Sequence, residues 1–168
     1  MPHSSLAIAN EFLSRAHKAG RDMTHMQLQK LVYLAHGWNL AVNGDLLTRD
    51  DIEAWSYGPV IRRLYDALTK FGRAAIPRLI RWGEDTPFSS DDDGPAIEDF
   101  STDEKAVLDS VWDNYGSFPA FKLSALTHEP NTPWHAAFQS GRNKVISPDS
   151  IKAYFVELAN APAGNAAA

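Results

Sequence analysis

Apolar positions recur along most of the chain at the spacing of one helix face, and polar caps divide them into separate helices. Ser4 or Ser5 caps a first helix with Leu6, Ala9, Leu13 and Ala16 on one side, stopping near Gly20. Thr24 and Gln27 then form a capping box. The helix they open runs towards Asn43 and Gly44, with Leu28, Leu31, Val32, Ala35, Trp38 and Val42 on an i, i+3, i+4, i+7 stripe. Tyr33, Leu34 and Leu40 fall off that stripe, so the helix is apolar over most of its circumference. A helix of that kind belongs in the middle of a domain.

From Asp50 the period changes. Ile52 to Tyr57 alternates by two and stops at Gly58-Pro59, which predicts a short strand. Pro59 suits the first turn of the next helix, which would bury Val60, Ile61, Leu64, Tyr65 and Leu68 and end at Gly72. Weaker strands are expected over 78–82 and 96–100, completing a small antiparallel sheet. The polar, turn-rich run 83–95 between them reads as a flexible loop. Ser101 and Glu104 make a second capping box, before Val107, Leu108, Val111, Trp112 and Tyr115. Short helices follow from Pro119 and Pro133, and a last one opens with Ser147 and Pro148 and buries Ile151, Tyr154, Phe155 and Leu158.

The sum is a mainly α (α+β) domain over residues 1–160, with about seven helices around a central apolar helix and a small antiparallel sheet. Residues 161–168 form an Ala-rich tail that is expected to be flexible.

Composition narrows the chemistry. The 168 residues contain no Cys, which excludes disulfides, thiolate zinc sites and Cys nucleophiles. No apolar run approaches the roughly 18–20 residues of a bilayer span. The N-terminus shows no secretory pattern, so a cytoplasmic protein is expected. Neither a phosphate loop nor a nucleophile elbow is present. His128-Glu129 is followed at once by Pro130, with Thr132 where a zinc-protease helix needs its second His. In a calcium-loop register, Asp91-Asp92-Asp93-Gly94 places Phe100 where the bidentate Glu must stand. The six histidines at 3, 17, 25, 36, 128 and 135 fit no ligand spacing. Neither a catalytic residue nor a metal or other cofactor is expected, and the chain is read as no enzyme.

Charge is segregated along the chain, although the net charge is only −5. Arg62 to Arg81 holds six cations and one anion, and Glu84 to Glu104 holds nine anions and no cation. Two readings stay open: a two-signed surface that steers a charged partner, or neighbouring segments that neutralise each other. Beside nine anions, the basic stretch is a poor nucleic-acid site.

The central segment carries a resemblance. Thr24 to Trp38, with Leu28-Gln29-Lys30-Leu31, Tyr33-Leu34 and Gly37-Trp38, is similar to the Leu-Gln-Lys-Leu-x-Tyr-Leu-x-x-Gly-Trp signature of the Panacea domain family. That is the group of SocA-like antitoxins and GepA-like phage-associated proteins. Glu53-Ala54-Trp55-Ser56-Tyr57-Gly58-Pro59-Val60 resembles the family's next segment. Weaker similarity returns over 108–116, at Leu123 to Glu129 and at Pro133-Trp134, so it covers roughly residues 5 to 158 in order.

The resemblance implies a bacterial or phage antitoxin that neutralises a protein toxin by direct contact, without catalysis. It also implies, for some members, delivery of the toxin to an ATP-dependent protease such as ClpXP. In that case Ala166, Ala167 and Ala168 are a candidate protease signal. Among the motif residues, Leu28, Leu31, Tyr33, Leu34, Trp38, Trp55, Gly58 and Pro59 read as fold determinants. Gln29, Lys30, Glu53 and Tyr57 are expected either to form a hydrogen-bonded cluster at the helix–strand junction or to contact the toxin. Arg62, Arg63, Lys70 and Arg73 are candidate toxin-binding residues, with the acidic loop as the other candidate surface. A hydrolase or nuclease with an unrecognised site and a transcriptional regulator are the competing classes.

Overall fold

A computed structural model describes residues 1–90 and 92–161. Seven α-helices occur among the described residues: α1 (Ser5–Lys18), α2 (His25–Asn43), α3 (Arg62–Leu68), α4 (Thr102–Tyr115), α5 (Ala120–Thr127), α6 (Pro133–Ser140) and α7 (Pro148–Ala159). Three strands, β1 (Ile52–Trp55), β2 (Gly58–Ile61) and β3 (Lys144–Val145), form an antiparallel sheet in the order β2-β1-β3.

The caps stand where the polar punctuation placed them. Ser4 accepts from the Leu6 amide, and both capping boxes are closed on both sides. Gly44 ends α2 at φ 81°, in the left-handed region that favours glycine. Pro133 and Pro148 occupy the first turns of α6 and α7.

α2 is the axis of the fold. α1, α3, α4, α5 and α7 pack around it, as does β2. Leu28, Leu31, Val32, Tyr33, Leu34 and Ala35 are all buried, as an all-round apolar helix requires. α7 approaches so closely at Gly37 that a Cβ there would overlap the Phe155 ring. Tyr33 and Trp38 meet the same ring edge-on, with centroids 5.9 and 5.3 Å away.

The sheet differs from the expected one. Pro59 does not start a helix: it lies in β2 opposite Ala54, and α3 begins at Arg62. Gly58, at φ 112°, lets the chain reverse after Ser56 and Tyr57, and β-branched Val60 and Ile61 then continue as a strand. The third strand is β3, not 78–82 or 96–100. Those two segments do run side by side, but they share only an isolated bridge between Arg81 and Pro95. Asn10 on α1 takes their backbone groups instead. Its amide donates to Ile80 O and Ala96 O at 2.8 and 2.9 Å and accepts from Ile80 N at 2.7 Å.

The 83–95 run is anchored near its start by Glu84, which is only 5% exposed. Its carboxylate accepts from Arg78, from the Arg81 amide and from Lys70. Burial opposes its charge, but these bonds outweigh burial and hold the carboxyl at about 2. Beyond Ala161 the tail, with Ala166, Ala167 and Ala168, lies outside the described residues.

Candidate functional site

The two polar residues inside the helix signature share one structural task. β2 is an outer strand, with β1 on one side and no strand on the other. A buried strand edge leaves backbone donors and acceptors that need partners. Gln29 supplies them at Ile61: its Oε1 accepts from Ile61 N at 3.0 Å, and its Nε2 donates to Ile61 O at 3.2 Å. The side-chain amide thus stands in for the peptide group of a missing strand. Pro59 has no N–H to satisfy, and its carbonyl accepts from Lys30 Nζ at 2.9 Å. A Cβ on Gly58 would stand 2.8 Å from that same Nζ, so the close approach and the positive φ both call for glycine.

Lys30 is fully buried. Burial pulls its ammonium down to about 7. His25, one turn earlier, is held at about 4 by burial and by the Lys30 charge. Its Nε2 lies 3.3 Å from the Gln29 amide nitrogen, which fits a neutral imidazole accepting there.

Glu53 and Tyr57 do not join this group. Glu53 holds Arg62 through two bonds of 3.0 Å and accepts from the Trp55 indole at 3.2 Å. The Arg62 guanidinium also lies 5.0 Å from the centre of the Trp55 ring. Tyr57 points to solvent and is 75% exposed. Its backbone is nonetheless fixed, because Ser124 on α5 donates to Tyr57 O at 3.2 Å. Trp134 on α6 donates to Trp55 O at 2.6 Å. The hairpin tip is therefore clamped while its aromatic side chain is presented outwards.

Beside this tip opens a cleft of about 840 Å³. The start of α2 (Thr24, His25, Met26, Gln29) forms one wall and the hairpin (Trp55 to Tyr57, with Val60) the other. Tyr65 on α3 lies between them, its ring tilted against Trp55 and His25 with centroids 4.8 and 5.2 Å away. Gly72, Arg73, Ala120, Arg142 and Asn143 complete the rim.

The basic residues singled out from the sequence do not form one free surface. Arg62 pairs with Glu53. Arg63 lies 3.2 Å from Asp85 and 3.6 Å from Asp50, and Lys70 lies 2.6 Å from Glu84. Charge segregation along the chain thus becomes local neutralisation in three dimensions, and Arg73 alone of the four lines the cleft. The cleft itself has no contiguous signature in the sequence, since Met26, Tyr65 and the pair Arg142-Asn143 come from three separate segments. The one signal in the sequence was Tyr57, an aromatic residue in a polar turn.

Residues 28–135 match the model of the family described as Antitoxin SocA-like, Panacea domain. The chain belongs to this family. Over 129 residues it is also 30% identical to Antitoxin SocA of Caulobacter vibrioides (strain NA1000 / CB15N). That alignment takes in 76% of this chain and 66% of the relative, slightly less than two thirds of its length. No solved structure matches. The Panacea match takes in α2 from Leu28 on, the hairpin, α3, α4, α5 and the start of α6, so the capped sheet edge falls within it, as does the cleft apart from Thr24, His25, Met26, Arg142 and Asn143. Among the described residues, no group of His, Asp and Glu could hold a metal ion, and no helix is long and apolar enough to cross a membrane.

Proposed function

We propose that this chain is the antitoxin of a bacterial toxin–antitoxin pair, that it acts in the cytoplasm without catalysis, and that it neutralises its toxin by direct contact at the Tyr57 cleft. The observation that carries the reading is the division of labour within the family motifs. Gln29 and Lys30 are spent on closing the sheet edge. Tyr57 is the motif residue left exposed, on a backbone clamped from two sides. An aromatic side chain presented on a fixed backbone beside an apolar cleft is a common form of binding hot spot, because little backbone ordering is left to do on association. The test is growth of cells expressing the toxin gene paired with this one. Co-expression of the wild-type chain should relieve arrest and the two proteins should co-purify. Tyr57→Ala should lose both while keeping its melting temperature.

A finer reading rests on the family resemblance: delivery of the bound toxin to an ATP-dependent protease such as ClpXP. Toxin half-life separates the two modes. Delivery shortens it only in cells with active protease, and masking leaves the toxin stable but silent.

A further inference from the structure

We infer that the cleft takes an acidic segment of a protein partner, with one or two large apolar side chains seated between Asp or Glu residues. This deepens the toxin-contact reading and rests on it for the partner's biological identity. The chemistry comes from the lining itself. The floor and walls are apolar and aromatic, formed by Met26, Trp55, Val60 and Tyr65. The rim carries two guanidiniums, Arg73 and Arg142, and no Asp or Glu lines the cleft. In a chain of net charge −5 this is a local reversal of sign.

Arg62 is paired with Glu53, Arg63 with Asp50 and Asp85, and Lys70 and Arg78 share Glu84. The cleft arginines have no such partner within the described residues. An exposed Arg at the rim of an apolar cleft has its carboxylate supplied most simply by whatever fills the cleft.

Two alternatives fit less well. Strand addition at the wall is blocked, because Gln29 and Lys30 already occupy the polar groups of β2 at Pro59 and Ile61. Recognition must therefore come from side chains. A nucleic-acid strand draws its affinity from roughly six or more phosphate contacts, against two cations here.

The experiment pans a library of random 12-residue peptides on the full chain and on the double variant Arg73→Glu/Arg142→Glu. Enriched peptides are then measured by fluorescence polarisation, with Lys105→Glu on α4 as a charge control and a single-stranded 20-mer as competitor. The expected result is a consensus of at least two acidic residues flanking an aromatic or Leu. Affinity should fall tenfold or more in the double variant and with added salt, and stay unchanged in Lys105→Glu. A neutral or basic consensus, no enrichment, equal binding to the double variant, or displacement by the oligonucleotide overturns the proposal. The toxin separates this inference from the antitoxin reading. If it binds wild type and double variant equally, only the acidic segment is refuted. If it never binds, the antitoxin reading falls, and the peptide result still decides the chemistry of the cleft.

Discussion

Replacing Lys30 by Met should change how stability depends on pH more clearly than any other single substitution. The Lys30 side chain is fully buried, and its amine donates to Pro59 O. Burial brings its pKa from 10.5 to about 7, which corresponds to roughly 5 kcal/mol against the charged form in the folded state. Between pH 7 and 10.5 the unfolded chain keeps a proton on Lys30 that the folded chain has released. The unfolded state binds more protons there, so Lys30 makes stability rise with pH across that window, by up to about 1.4 kcal/mol per pH unit. Below pH 7 both states are protonated and the whole penalty stands; above 10.5 it is gone.

Methionine fills similar space without charge, but leaves the Pro59 carbonyl without its donor, at a cost of about 1–3 kcal/mol. Lys30→Met should therefore be more stable than wild type by about 2–4 kcal/mol near neutral pH, and lose that advantage as the solution becomes alkaline. Urea melts at intervals from neutral to alkaline pH give both curves, and unchanged m-values would show that the unfolding transition is the same. Parallel curves would be incompatible with a buried, unpaired ammonium at Lys30.

Gln29→Ala leaves both polar groups of Ile61 unpaired in a buried place and should cost roughly 2–5 kcal/mol, read as a lower urea midpoint. Gln29→Glu should recover only part, since a carboxylate accepts from Ile61 N but cannot donate to Ile61 O. Gly37→Ala gains up to about 1 kcal/mol of helix propensity, but forces a methyl into the Phe155 ring, which typically costs 1–3 kcal/mol or more. The cost should shrink in a Phe155→Leu background, as a double-mutant cycle of thermal melts would show. Glu84→Gln should cost roughly 2 kcal/mol, since Lys70 and Arg78 reach solvent and screen the pairing. The carboxyl is held at about 2, below its ordinary 4.5, so this stability is complete above pH 4.5 and lost as pH falls towards 2. Wild-type and Glu84→Gln melts should therefore converge in acid.

Much of the helical framework could be read from local chemistry, because each signal is local. A capping box needs only Thr24 and Gln27, or Ser101 and Glu104, and an all-round apolar helix such as α2 has nowhere to go but the centre. The sheet was harder because its determinants are distant in sequence. Pro59 is a good first residue for a helix, and nothing nearby shows that Gln29, thirty-two residues before Ile61, will hold that segment extended. β3 is two residues long and has no alternation to detect. The 78–82 and 96–100 segments look like strands and do lie together, but one asparagine on α1 takes the backbone groups another strand would have used.

The candidate site divides in the same way. The motif residues could be named from the sequence, whereas their separation into a buried pair and an exposed tyrosine depends on which side of the hairpin faces α2. Of the two readings of the basic stretch, pairing with nearby carboxylates depends on Glu53, Asp50, Asp85 and Glu84 coming close in the fold, which charge order along the chain does not show.

Neutralisation of a toxin through the cleft that Tyr57 overlooks, as proposed above, can be tested on the two purified proteins. The most direct measurement is titration calorimetry of the purified toxin into the wild-type chain and into Tyr57→Ala, alongside growth rescue by the same two proteins. Wild type should bind tightly and rescue growth, and Tyr57→Ala should lose both while melting at the wild-type temperature. Equal binding and rescue by Tyr57→Ala would contradict it and move the toxin contact to another face of the molecule.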